Sequence, residues 1–173
     1  MVLVLHLCRV MHCPYLTLLF LTIFSFTACS DTEPATAPSA PDLSEALLGT
    51  WETVEYNIDY QTYQGGDTAY TETVQEADWG KVYGVKPPST VFTSDGKLRR
   101  TYRMRNGEIA NITNGLWKPR GDSLLMIEPN VTYTYFPELT GDRLSLTGVL
   151  DLDRDGQRDD AYRGIFRLVS RTR

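Results

Sequence analysis

The chain has 173 residues, with 22 acidic and 17 basic side chains, a formal charge of −5, two histidines and three cysteines. That length suits a single domain, and the mild acidity excludes a nucleic-acid binder, which needs a basic face. His6, His12, Cys8 and Cys13 all fall within the first 28 residues, so the remaining chain excludes Ser-His-Asp and Cys-His catalysis and an ordinary His/Cys zinc site.

Residues 1–28 read as a secretion signal. Arg9 precedes an uncharged run from Leu16 to Phe26, and small residues follow at Thr27 and Ala28, the order of a basic, an apolar and a cleavage region. The run is short for a spanning helix, which takes ~20 residues. Met11 offers an alternative start that leaves a signal of ordinary length. Loss of the segment removes one basic residue, Arg9, and takes the formal charge from −5 to −6.

The string Phe26-Thr27-Ala28-Cys29 resembles the lipobox of bacterial lipoproteins, with Phe in place of the commoner Leu. The resemblance implies that Cys29 is the lipidated first residue of the mature protein, carrying diacylglycerol and an N-acyl chain. Two or more acyl chains anchor stably, whereas one binds membranes at only ~10⁴ M⁻¹. An ordinary cleaved signal beside a chance cysteine is the plain alternative. The expected location is the outer membrane, facing the periplasm or the cell surface. Residues 29–46 are rich in Pro, Ala, Ser and Thr and read as a disordered spacer. Asp31 and Glu33 resemble the acidic export signal of surface lipoproteins in Bacteroidetes-type bacteria; a solvated spacer accounts for them equally.

Residues 47–173 read as the folded domain. Ser44 to Leu48 suits one helical turn leading into it. From Gly49, Val54, Tyr56, Ile58 and Tyr60 alternate with Thr53, Glu55, Asn57 and Asp59, the period of a strand. Residues 61–90 are polar and punctuated by Gly and Pro, and Lys86-Pro87-Pro88 speaks against a central strand. This stretch reads as a long loop or ragged hairpin. A regular meander follows: Thr90–Thr93, then Leu98–Arg105, then Asn106-Gly107 as a type I′ turn. Strands at Ile109–Lys118, Leu124–Ile127, Val131–Phe136, Leu144–Leu150 and Tyr162–Ser170 are separated by Arg120-Gly121-Asp122, Pro129-Asn130 and Thr140-Gly141-Asp142. Strands at intervals of ~8–12 residues indicate an all-β sandwich or barrel. The prediction is an antiparallel up-and-down barrel of about eight strands, whose closure removes exposed edges.

Gly49-Thr50-Trp51 resembles the G-x-W signature of lipocalins. Gly115-Leu116-Trp117-Lys118-Pro119-Arg120-Gly121-Asp122-Ser123-Leu124 resembles the G-x-W…G-D-x-L hairpin of bacterial lipocalin-like lipoproteins. The resemblance spans residues 47–171 and does not extend to 61–90. It implies that Gly49 and Trp51 sit at the barrel bottom, with Trp51 under an Arg from the last strand, Arg167 or Arg171. It also implies a barrel that carries a small apolar or amphipathic ligand.

The candidate lining of such a cavity is Tyr102, Met104, Tyr133 and Tyr135. Arg100 shares parity with Leu98 and Tyr102 and would face an anionic group. The three tyrosines belong to a wider aromatic set with Tyr56, Tyr60, Phe92, Phe136, Phe166, Trp51, Trp79 and Trp117. Ordinary barrel core and a solvated Arg face are the alternatives. The most distinctive motif is Asp151-Leu152-Asp153-Arg154-Asp155-Gly156-Gln157-Arg158-Asp159-Asp160. Calcium takes about six to eight oxygens, and such loops supply them from alternate positions. Here these are Asp151, Asp153, Asp155, the Gln157 carbonyl and Asp159. Position twelve is Tyr162, so this is not an EF-hand. Asp160 is the substitute acid, as in the thrombospondin-type repeats that the motif resembles. An acidic turn neutralised by Arg154 and Arg158 is the alternative.

Paired carboxylates alone can catalyse glycoside hydrolysis, but apart from this loop no such pair is evident, and the chain reads as a non-enzyme. Two functions stand: a monomeric, membrane-anchored carrier of a small hydrophobic ligand, or an envelope interaction or structural module with a filled barrel and a calcium-stabilised hairpin. Cys29→Ser should abolish incorporation of a clickable palmitate analogue in a lipoprotein-processing bacterial host and leave precursor or a soluble form. Undiminished labelling of that variant would exclude Cys29 as the acylation site.

Overall fold

The computed structural model describes residues 42–171. The signal, Cys29 and the spacer to residue 41 lie outside the described residues. The spacer does not run to residue 46 as expected. Asp42 accepts a hydrogen bond from the Ser44 N–H (3.0 Å) and caps a short helix, α1 (Leu43–Ala46). This turn seats Leu43 and Leu47 against the core.

Nine antiparallel strands follow: β1 (Gly49–Tyr60), β2 (Tyr70–Gln75), β3 (Ser89–Phe92), β4 (Lys97–Arg103), β5 (Ile109–Arg120), β6 (Ser123–Glu128), β7 (Val131–Thr140), β8 (Arg143–Leu150) and β9 (Asp160–Ser170). From β3 onward each strand pairs with the next, and β9 returns to β1. This closes a ring of eight strands, as predicted. β2 stands outside that count. β1 gives one edge to β9 and divides the other, with Gly49–Glu52 pairing to β3 and Glu55–Tyr60 to β2. The stretch 61–90 therefore holds a real strand. It continues through a 3-10 turn (Glu76–Asp78) and α2 (Trp79–Val82) before Pro87-Pro88 leads into β3.

The turns follow from their glycines. Gly121 and Gly141 each take φ 61° as the first residue of a two-residue loop, the type II′ arrangement that matches strand twist. Asn106-Gly107 is not the predicted type I′ turn, because only Gly107 has positive φ (96°). Met104 N–H donates to the Glu108 carbonyl (2.7 Å) and Gly107 N–H to the Met104 carbonyl (2.9 Å). The Asn106 side chain satisfies Glu108 N–H (3.0 Å), so Asn106 acts through an Asx turn.

The alternation in β1 changes phase. Gly49, Trp51 and Thr53 are buried, then Ile58 and Tyr60, and the β1–β9 register shifts between Thr53 and Glu55. A bulge inserts one residue and reverses the inward parity. Val54, expected on the Tyr56 face, falls at that reversal.

Trp51 is fully buried among Leu47, Phe92, Leu98, Trp117, Leu124, Leu144 and Phe166. Its indole N–H donates to the Leu47 carbonyl (2.9 Å). Arg171 lies 5.7 Å from the ring centroid and also donates to the Ala46 carbonyl. Of the two predicted partners, Arg171 takes the place. Arg167 instead binds Glu52 (2.6 Å) and Glu76 (2.9 Å), because residue 167 neighbours inward Phe166 and faces the other way. Gly49 has φ 136°, and a Cβ there would stand 2.2 Å from the Ser170 carbonyl oxygen. The Gly-x-Trp pattern thus has a steric cause at the β1–β9 seam.

Trp51→Ala should cost ~3–5 kcal/mol, as large-to-small core changes do. The thermal midpoint should fall by on the order of 10 °C. An unchanged midpoint would show that Trp51 does not hold the closed end together.

Candidate functional site

The barrel is filled at one end and hollow toward the other. Beyond the Trp51 cluster lies a cavity of about 290 Å³ lined by side chains including Thr53, Tyr56, Ile58, Arg100, Tyr135 and Tyr162. Adjoining it is a second space of about 310 Å³, walled by Tyr56, Trp79, Tyr83, Val85 and Tyr102. Tyr56, Trp79 and Tyr102 line both spaces.

The floor of the cavity is charged. Arg100 points inward, as its parity predicts, and donates to Glu128 Oε1 (2.9 Å) and to Thr90 Oγ1 (3.4 Å). Both partners of the ion pair are largely buried, with side-chain exposures of 21% and 14%. Arg100 therefore meets a carboxylate of the protein itself, and the pair is formally neutral. An anionic ligand would have to compete with Glu128.

Phenols surround the pair. Tyr133 and Tyr135 pack at 5.9 Å between ring centroids, and Tyr135 meets Tyr162 edge-on at 5.5 Å. Burial pushes the Tyr135 phenol well above its ordinary value and the Tyr162 phenol up to about 12, with Arg100 partly opposing both. All remain neutral donors at physiological pH. A Cβ at Gly164 would stand 2.2 Å from the Tyr162 hydroxyl, so that glycine makes room for the Tyr162 ring on the inward face.

At the mouth, Trp79 meets Tyr56 edge-on (5.5 Å) and Tyr83 at 5.1 Å. Tyr83 donates to Glu72 on β2 (2.5 Å). Trp79 is only 6% exposed, yet its indole N–H has no hydrogen-bond partner among the described residues. A buried donor without an acceptor costs ~1–3 kcal/mol.

Tyr102, Tyr133, Tyr135 and Arg100 thus converge as expected of a lining. Met104 does not. It is 45% exposed, bridged to Val85 at the rim, because the β4–β5 register shift after Tyr102 breaks the alternation. Phe136 is also exposed, on the outer face. The sequence reading missed Glu128, Tyr162 and the importance of Trp79. Glu128 carried a signal, since it shares parity with Leu124 and Met126, but its position before Pro129-Asn130 reads as a turn.

The Asp loop folds at the same end as the mouth, joining β8 to β9. Asp151, Asp153 and Asp160 bring carboxylate oxygens within 4.8 Å of one another. The predicted alternate-position set does not assemble as a whole. Asp155 and Asp159 both accept from the Thr62 hydroxyl (2.9 and 3.1 Å), and the Gln157 side-chain amide also reaches Thr62 (3.3 Å). Asp155 further accepts from the Gln157 N–H (2.8 Å), and these bonds lower its pKa. Docking of residues 62–64 against the loop is what draws this half of the motif aside. Gln64 N–H also donates to Asp153 (2.5 Å).

No family profile matches the chain, and no curated protein matches it. Among solved structures, a lipocalin-like protein from Bacteroides uniformis ATCC 8492 is 16% identical, with a TM-score of 0.44 over 71% of this chain and 98% of that one. An uncharacterized protein from Bacteroides eggerthii DSM 20697 is 13% identical, with a TM-score of 0.44 over 70% and 98%.

Glu128→Ala should cost about 3 kcal/mol in urea unfolding, the low end for breaking a buried pair, because it strands the Arg100 charge. Replacing both residues by Met should recover most of that loss. A single-variant cost under ~1 kcal/mol, the range of an exposed pair, would show that water reaches the pair freely.

Proposed function

We propose that this chain is a lipid-anchored, lipocalin-like carrier whose barrel holds one small amphipathic molecule. The observation that carries the reading is a space of about 290 Å³ lined by the Arg100–Glu128 pair and buried phenols, beside an aromatic one walled by Tyr56, Trp79 and Tyr83. Ligand pockets combine an apolar lining with a few fixed polar groups, and span ~300–1,000 Å³. The two spaces, of about 290 and 310 Å³, each lie at the lower limit of that range.

The chemistry of the walls narrows the class. The Arg100–Glu128 pair offers a donor and an acceptor together, and the phenols add neutral hydroxyls. A net anion gains little there, since Glu128 already neutralises Arg100. A neutral or zwitterionic polar group suits the inner end, and a flat apolar group suits the aromatic wall formed by Tyr56, Trp79 and Tyr83. The anchoring half of the reading rests on Phe26-Thr27-Ala28-Cys29 and would put the carrier at the outer membrane. No helix among the described residues is long and apolar enough to cross a membrane.

Native mass spectrometry of the detergent-purified full chain should show a bound small molecule beyond the lipidated polypeptide. Trp79→Ala should lose it, while Phe136→Ala, on the outer face, should keep it. A barrel that carries no adduct, and that leaves the emission of added dansylaminoundecanoic acid unchanged, would overturn the carrier reading in favour of a structural module.

A further inference from the structure

Among the described residues, no cation pairs with the carboxylates of the β8–β9 loop. Arg154 and Arg158 are the cations of the loop, and neither forms an ion pair with its aspartates among the described residues. Arg158 donates instead to the Val149 carbonyl (3.5 Å). Asp160 is fully buried, and its Oδ1 has no hydrogen-bond partner among the described residues. Oδ1 of Asp151 and Oδ1 of Asp159 are in the same condition, although Asp159 Oδ2 accepts from Thr62. Burying a carboxylate without a counter-charge is strongly unfavourable, and here buried Asp160 converges with half-buried Asp151 and Asp153. We propose that Asp151, Asp153 and Asp160 bind one calcium ion at the barrel mouth.

The donor set is all oxygen, which selects a hard cation. Two oxygens on opposite sides of calcium stand ~4.6–5.2 Å apart, twice a ~2.3–2.6 Å bond, and the three carboxylates already lie within 4.8 Å of one another. Three carboxylates supply up to six oxygens, and water completes the sphere. The set is held in place by the backbone. Asp160 Oδ2 accepts from the Leu152 N–H (2.5 Å), and Asp153 Oδ1 accepts from the Asp155 N–H (3.1 Å). Calcium tolerates such an irregular cage, whereas magnesium demands near-octahedral geometry and gives up water reluctantly.

The assignment differs from a linear calcium loop. Asp155 lies outside the trio and belongs to the Thr62 contact. The ion would join the β8–β9 loop more firmly to residues 62–64, which already bond to Asp153. This site is independent of whether the cavity carries a ligand.

The test is equilibrium dialysis of the detergent-purified full chain with radioactive calcium, together with thermal midpoints in CaCl₂, MgCl₂ and EGTA. One ion per chain is expected, with Kd of ~10⁻⁴–10⁻³ M as in extracellular modules. Saturating CaCl₂ should raise the midpoint by on the order of 3–5 °C over EGTA. Asp151→Asn should weaken binding at least about tenfold. Its side chain accepts no hydrogen bond among the described residues, so this variant carries the test even where Asp160→Asn fails to fold. Asp155→Asn should still bind. Equal midpoints in CaCl₂ and EGTA with no bound ion would overturn the site. An equal rise in MgCl₂ would overturn the assignment to calcium, and a loss in Asp155→Asn matching that in Asp151→Asn would overturn the trio.

Discussion

The pairing of β1 with β9 is the constraint on which the rest of the structure depends. Without it the meander from β3 to β9 is an open sheet with two exposed edges, a form prone to pairing with other chains. The seam closes only because Gly49 lets the Ser170 carbonyl approach where a Cβ would collide. Trp51 then fills the space under the seam, and its N–H fixes Leu47 as a plug. Arg171 ties the end of the chain to the same point through the ring and the Ala46 carbonyl. Three segments distant in sequence meet there, so closure and core packing are one event.

Closure also divides the barrel into two environments. Near Trp51 the interior is packed apolar side chain. Farther along the same strands the inward positions turn polar, with Thr53, Thr90, Arg100 and Glu128. Interiors filled to crystal-like density do not leave such space by accident of side-chain size, and a buried ion pair is weak evidence for stability. A polar, partly hollow end therefore needs another explanation than holding the fold together. The proposed ligand would supply one.

The mouth is built by the segments that depart most from a plain eight-strand ring. β1 shares one edge between β2 and β3, and the chain between them brings Trp79 and Tyr83 to the opening. The Asp loop sits at the same end and is held by Thr62 and Gln64 from the β1–β2 connection. Leu152 of that loop lines the cavity. Whatever stiffens the acidic loop acts on the wall of the cavity as well.

The amino-acid sequence by itself determined what depends on neighbours in the chain. Alternating patterns located β1 and β4 through β9, and glycine positions located most turns, because strand period and turn chemistry are local. The parity of Arg100 with Leu98 and Tyr102 offered an inward direction for the same reason, beside the alternative of a solvated face. The tertiary structure alone decided what depends on partners far away. The bulge at Thr53–Glu55 reverses the inward face of β1 only against β9. β2 is recognisable as a strand only beside β1, since its own pattern is weak. Arg100 meets Glu128 across 28 positions, and Arg171 rather than Arg167 reaches Trp51. Likewise the aspartates alternate regularly in sequence, but Thr62, more than ninety positions earlier, draws Asp155 and Asp159 aside and leaves Asp151, Asp153 and Asp160 together. Spacing along a chain sets which side chains are available. Which of them converge is set by hydrogen bonds that only the closed barrel brings within reach.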